Sequence, residues 1–482
     1  MERWDRLYPA PKEWSTFLTK LFYQKARNAE DDGKYGSQAS NWARIGSSFR
    51  EARKRLEDLN GDGKGLVPQN DSAREGVPLS DVGEVGFDVT SMSEEWIRGY
   101  HYVLLHAGLA AERLQDQVND TTRAIVFPKE MMVGPSNPFP RPVPPGLPHA
   151  PREEDCVPAS IPPEHLYVKI LTTKGFNTRQ RLDAALAYGS WLDYSERPAE
   201  ARQLYDYAVE IASSALPDAS QIVDKNAVLK PGTGQVSQNL VDATTALALH
   251  HARTNNLNSA LPILLSVLRA RREAPFVQSP KAIPQSNSPL DVAKDFITGL
   301  FTPGKFPPPP PSGNEPFVTR SGDACEEAAV MAYIGEILFA LNSAKSSKVS
   351  SESEQGISFS KEAFTVATKQ ARDTHLELDK RERCVQCADL AVKNLLAMVQ
   401  RLAKQERESA VSAPKASSGW SFWANPGSAN QQGEEGRWAL EQKEVENMMD
   451  EVRREGMKEM LWVSRRSSDW LGDVIKWWGS AI

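Results

Sequence analysis

The stretch AYGSWLDYSERPAEARQLYDYA, running from Ala187 to Ala208, decides the fold. Two helical runs flank the short turn Ser195-Glu196-Arg197-Pro198. Gly189 on the first run and Ala201 and Ala208 on the second are small where antiparallel helices would touch, and Tyr205 is large where the space beside them must be filled. Small and large residues in that order across a tight turn are hard to obtain by accident. The competing reading is a generic helical bundle in which Gly and Ala fall there by chance.

The pattern returns 59 residues on, from Gly189 to Ala248, with Ala260 and Leu264 following and Val267 replacing the last small residue. A third copy has Gly335, then Ser360, Phe364 and Ala367, provided that its turn holds the Ser/Lys/Glu-rich insertion from Ser343 to Gly356. Insertions of this kind map to loops in repeat folds. A fourth pair, Cys384 to Gln405 and Arg437 to Met457, rests on amphipathicity alone. Two antiparallel helices in about 34 residues make a tetratricopeptide unit. The expected fold class is therefore all-α, a tetratricopeptide-like helical-repeat solenoid with irregular proline-rich and low-complexity insertions. No run alternates long enough to argue for a sheet.

Working outward, residues 1–59 read as an N-terminal helical segment with helices at about Lys12 to Ala29 and Gln38 to Leu59. The second is apolar on one side through Trp42, Ile45, Phe49 and Leu56. Residues 60–92 read as a loop, and 93–127 as a helical lead-in that starts from the N-cap Ser93. Residues 128–163 are too rich in proline for regular helix. The repeats occupy 164–408 and are broken by an exposed extended loop at 275–321 that contains the run Pro307 to Pro311. Residues 409–436 are a low-complexity insertion, and 437–482 are C-terminal helices with a cap. The clustered Trp462, Trp470, Trp477 and Trp478 suit a helix that closes the solenoid, the alternative being an amphipathic helix at a membrane interface.

Composition bounds the function. With 57 Lys+Arg against 63 Asp+Glu in 482 residues, no overall basic field would draw the chain onto nucleic acid. Four cysteines cannot be the main staple of so long a chain. Asp58, Asn60, Asp62 and Gly63 spell the first half of a calcium loop, but Gln69 stands where the bidentate Glu belongs and Pro68 opposes the following helix. The half motif therefore reads as a polar turn ending a helix. Cys384 and Cys387 form a C-x-x-C with no second pair to complete a zinc site, so they read as two small residues on a buried helical face. His101 with His106, and His250 with His251, lack metal-binding spacing, and no esterase elbow, Walker loop or dinucleotide fingerprint is present. No cofactor, metal or catalytic activity is expected.

The string RLYPAPKEW (Arg6 to Trp14), Trp96 with Gly99 and Tyr100 opening the next helical block, and the degenerate repeats together resemble a fungal family of mitochondrial tetratricopeptide proteins. That family is related to the adaptor of the inner-membrane AAA protease. The resemblance implies a protein-binding adaptor facing the intermembrane space that presents unfolded or unassembled substrates to the protease, with a scaffold subunit as the alternative. Family members carry a transmembrane helix before the tyrosine-proline motif. No such helix precedes the motif in this sequence, so the expectation is either an anchor upstream of Met1 or a peripheral protein, with the tryptophan-rich C-terminus as a second route to the membrane.

In the tetratricopeptide pattern the first helix of each unit lines a concave groove. Its partner-binding positions fall on Asp183, Leu186, Ser190, Asp193 and Tyr194 in the first unit, and on Asp242, Thr245, Leu249, Ala252 and Arg253 in the second. Polar residues with scattered apolar contacts suit an extended peptide. Tyr194 and Arg253 are expected to be surface side chains whose loss barely changes stability.

Overall fold

The computed structural model describes residues 2–35, 41–146, 148–232, 236–277, 304–320, 322–343, 351–373, 376, 378–412 and 436–454. Among them are fourteen helices and five short strands. The N-terminal part comprises α1 (Glu2–Leu7), α2 (Phe17–Tyr35) and α3 (Trp42–Leu56), followed by α4 (Glu94–Leu114), α5 (Pro163–Thr172), α6 (Thr178–Tyr194), α7 (Pro198–Ser214) and the single turn α8 (Ala219–Ile222). Then come α9 (Gln238–Arg253), α10 (Leu257–Glu273), α11 (Ala324–Ser343), α12 (Ser351–Ala371), α13 (Leu378–Ser412) and α14 (Arg437–Arg454). Each long helix packs on its neighbours in sequence, and α4 also meets α6, α6 meets α9, and α11 meets α13. A row of first helices thus lies beside a row of second helices over one continuous apolar core from Trp14 to Val445. This is the packing of a helical solenoid.

Two of the helix pairs are built alike to the level of single hydrogen bonds. Helix α6 starts from Asn177, whose side chain caps Gln180 N–H, and α9 starts from Ser237, whose side chain caps Leu240 N–H. Both helices end in a turn whose middle residue is left-handed, Glu196 (φ 58°) and Asn255 (φ 59°). Arg197 N–H donates to Leu192 O at 2.9 Å, and Asn256 N–H to His251 O at 2.8 Å. The two turns lie 59 residues apart and the two N-caps 60 apart. Residues between the copies are not slack: Leu229 is buried and its N–H donates to Ser266 Oγ at 3.0 Å, tying that excursion to α10.

The small residues lie where helices converge. A Cβ on Gly189 would stand 3.1 Å from the Tyr205 ring. Between α11 and α12 the backbones themselves meet, since a Cβ on Gly335 would lie 2.5 Å from Ser360 Oγ and 2.6 Å from Gly356 O. Ala201, Ala208, Ala248, Ala260 and Ala367 are fully buried, and Phe364 nearly so.

Several expectations need correction. The chain is mostly helical but not all-α. Strands β1 (Val67–Pro68) and β2 (Phe87–Asp88) pair, and a three-stranded sheet of order β4-β3-β5 forms from β3 (Gln117–Asp120), β4 (Ile125–Pro128) and β5 (Cys156–Pro158). The lead-in helix therefore stops at Leu114 instead of reaching residue 127. Val118, Phe127 and Met132 make a small core of their own, and Asp120 folds the hairpin turn by accepting from Thr122 and Arg123 N–H. Four-residue alternation is too short to have signalled this sheet. Helix α12 begins at Ser351, so the end of the supposed turn insertion is helical. Of the 275–321 loop, residues 278–303 lie outside the described residues, as do residues 413–435 of the low-complexity insertion and the whole tryptophan-rich stretch 461–482. No helix among the described residues is long and apolar enough to cross a membrane.

Two motifs singled out in the sequence serve packing. Pro11 and Trp14 close over Gly99, where a Cβ would come within 2.7 Å of each, and Trp96 donates its indole N–H to Asp62 O at 3.1 Å. Asp62 is part of the half calcium loop. Its carboxylate accepts from Ser15 N–H at 2.7 Å, Thr16 N–H at 2.9 Å and Thr19 Oγ1 at 2.6 Å, at the start of α2. Burial would raise the pKa of Asp62, but these hydrogen bonds outweigh it and hold the group lowered. Cys384 is not simply a small core residue, since it forms a disulfide with Cys325 that joins α13 to the start of α11.

The tight seam at Gly189 gives a stability prediction. Gly189→Leu must displace Tyr205 and should cost about 1–3 kcal/mol in denaturant unfolding, whereas Ser190→Ala, on the half-buried neighbour, should cost far less.

Candidate functional site

The first-helix row builds a concave pocket of about 360 Å³. From α9 and its turn come Leu249, Ala252, Arg253 and Asn255, and from the start of α10 Leu257; from α11 come Tyr333, Glu336, Ile337, Phe339 and Ala340; from α13 come Leu390, Asn394, Ala397, Met398 and Arg401. Three consecutive first helices contribute because each hairpin turns its second helix to the other side of the core. The lining is mainly apolar with a few convergent polar groups, and the size lies toward the lower end of ordinary ligand pockets.

Glu336 is the chemically distinctive group. Its Oε2 accepts from Asn394 Nδ2 at 3.1 Å, and burial pushes its pKa up to about 7. Near neutrality the carboxyl is thus poised between a hydrogen-bond donor and an anion. Tyr333 is pushed well above its ordinary range by burial, so its hydroxyl stays protonated. Nothing here joins a nucleophile to a base. The arrangement can enclose apolar side chains and exchange hydrogen bonds with an amide or a carboxyl group. Among the described residues no three His, Cys, Asp or Glu side chains are placed to hold a metal.

The residues assigned to the groove from the sequence are distributed differently. Leu249, Ala252 and Arg253 line the pocket. Tyr194 is 66% exposed and stands away from it. Asp193 is not a surface group: its side chain is buried, with one oxygen 2.8 Å from His250 Nδ1 and the other bound by Arg253. Arg253 is therefore both pocket wall and counter-ion, and not the surface side chain expected from the sequence. Asp183 and Asp242 share the guanidinium of Arg179, at 2.9 and 2.7 Å. Burial nevertheless pushes Asp183 up to about 6 and also raises Asp242. Thr245 turns its hydroxyl back to Val241 O at 2.6 Å. Leu186 packs against the core, and Ser190 is half-buried.

The pocket residues of α11 and α13 were missed. The signal existed for α11, because Glu336, Phe339 and Ala340 hold the same offsets from Gly335 as Ser190, Asp193 and Tyr194 hold from Gly189. For α13 no small-residue anchor fixed the register.

Comparison adds no relative, since no family model, curated protein or solved structure matches the chain.

Two outcomes test this electrostatic picture. Arg253→Ala should cost about 1–3 kcal/mol, because it strips buried Asp193 of its guanidinium and leaves only His250 and the Tyr205 hydroxyl beside it. Thermal melting of Arg253→Ala beside Tyr194→Ala, which should be nearly neutral, checks it. Glu336 has a folded pKa above its unfolded value of 4.5, so wild-type stability should fall as pH rises from about 4.5 through about 7. Glu336→Gln should show a shallower fall when denaturant unfolding is repeated across the same pH range, the remainder coming from Glu112 and Asp183, which burial also raises.

Proposed function

We propose that this chain is a protein-binding adaptor without catalytic activity, whose first helices form a tetratricopeptide-like groove that holds an extended segment of a client polypeptide. The observation that carries the reading is the pocket lined by α9, α11 and α13, which is apolar enough to take client side chains and carries Glu336, Asn394 and Arg253 to meet backbone or polar groups. The small residues Gly189 and Gly335 at the helix crossings, and the duplicated hairpin turns at Glu196 and Asn255, support the repeat assignment.

On the resemblance of its N-terminal string and repeats, we place the adaptor in mitochondria, at the inner membrane facing the intermembrane space, delivering substrates to an AAA protease. The Cys325–Cys384 disulfide suits a compartment that permits oxidation. Cys387, one turn beyond Cys384, is no ready exchange partner, because burial pushes its thiol up to about 12.

Ala252 and Ala397 line the pocket without being fully buried, so Ala252→Arg with Ala397→Arg should fill it and leave the fold intact. The double variant should capture at least about tenfold less of a reduced, unfolded model protein than wild type in a quantitative pull-down, with unchanged helical circular dichroism. Undiminished capture would remove the groove from consideration. Affinity purification from mitochondrial membranes then separates adaptor from scaffold: an AAA protease with varied clients marks the first, and a fixed stoichiometric complex the second.

A further inference from the structure

Residues 304–320 run along the rim of the solenoid as a strap. At one end Gly304 lies against the backbone of Asp5 and Arg6, Phe306 sits under the Arg98 guanidinium at 4.9 Å, and Pro307 O accepts from Arg98 Nη1 at 2.9 Å. At the other end Asn239 N–H donates to Gly313 O at 3.0 Å and its side chain to Ser312 O, while buried Phe317 donates its N–H to Val236 O at 2.7 Å. Asn314 reaches Thr178 between them. Arg98, Thr178 and Asn239 are in the first turns of α4, α6 and α9, so the strap crosses the N-terminal ends of three successive first helices. From Pro307 to Gly313 a polyproline II helix rises about 19 Å. That matches two interaxial spacings of about 8–10 Å each.

Five consecutive prolines with trans peptide bonds are restricted to polyproline II, which has three residues per turn. Three edges result. Phe306, Pro309 and Ser312 form one, and half-buried Phe306 and Ser312 turn its two ends toward the protein while Pro309 between them is exposed. Lys305, Pro308 and Pro311 form the second, Pro307 and Pro310 the third, and all five of these residues are exposed. Lys305 thus stands three residues before Pro308 and six before Pro311 on one outward edge.

We propose that this strap is a docking site for a proline-reading domain of the SH3 type, bound through Lys305, Pro307, Pro308, Pro310 and Pro311. Such domains hold two edges of a polyproline II ligand in an aromatic-lined groove and take a flanking basic side chain in an acidic pocket. The strap offers two edges with the basic residue at the matching interval, and spends the two ends of the third, Phe306 and Ser312, on its own anchors. Because both ends are pinned, the ligand conformation exists before the partner arrives, which lowers the ordering cost of binding. A strut that only braces the rim has no use for Lys305 on the outward edge. The inference is independent of the groove and of what the groove binds.

The experiment titrates the full-length protein by calorimetry with a panel of purified SH3 domains whose specificity pocket carries Asp or Glu, beside a synthetic peptide of residues 304–315. At least one domain should bind the protein more tightly than it binds the peptide. Lys305→Glu, and Pro308→Ala with Pro311→Ala, should each weaken that binding by at least about tenfold, while Pro309→Ala leaves it unchanged and all variants keep the wild-type circular dichroism. Binding to the peptide alone, equal loss on Pro309→Ala, or capture by WW or EVH1 domains with no SH3 domain responding would overturn the proposal. A drop in melting temperature for the proline variants with no binding by any domain would leave a strut only.

Discussion

Everything in this molecule follows from how closely its paired helices approach. At Gly335 and Gly356 little besides backbone and the small Ser360 hydroxyl separates α11 from α12, and at Gly189 only the ring of Tyr205 lies between α6 and α7. Van der Waals attraction over such a seam is large because so many atoms sit at contact distance, and it vanishes quickly with separation. The seam fixes which faces of the first helices remain free to meet the next pair. Those faces line up as a row, and the row has an inner side. The pocket under Glu336 is therefore a by-product of glycines that never touch it.

The inner side is not uniform. Toward α6 and α9 it is closed by charge, with Arg179 serving two carboxylates and Asp193 held between His250 and Arg253. A buried carboxylate is tolerated only with its partners in place, so these pairs act as rivets that set the angle between neighbouring first helices. Toward α11 and α13 the same side is apolar and hollow. Rigid and receptive parts of one surface are thus separated along the chain, with Arg253 belonging to both.

Legibility in the sequence followed the length scale of each interaction. The hairpin of α6 and α7 was readable because its determinants, from Gly189 to Ala208, lie within one short stretch, and the second hairpin was readable as its copy. The sheet around Val118 and Phe127 was not, because no strand offers more than four residues of alternation and its third strand arrives from residue 156. The burial of Asp193 was hidden for another reason. Its partner His250 lies 57 residues away, and a lone Asp at a groove position looks the same in sequence whether solvated or clamped. The tie between Cys384 and Cys325 was obscured by the nearer and idle Cys387. Long-range pairings of single side chains leave no periodic trace.

The strap also bears on the order in which the chain becomes complete during synthesis. Most contacts of the solenoid join helices adjacent in sequence and can form as the chain emerges. Pro307, by contrast, reaches back 209 residues to Arg98. At ribosomal rates of about 5–20 residues per second, the end of α4 waits about 10–40 s for its brace. During that interval Arg98 stands uncovered at the rim, and Asn239, only 74 residues before Gly313, joins it for the last part, about 4–15 s.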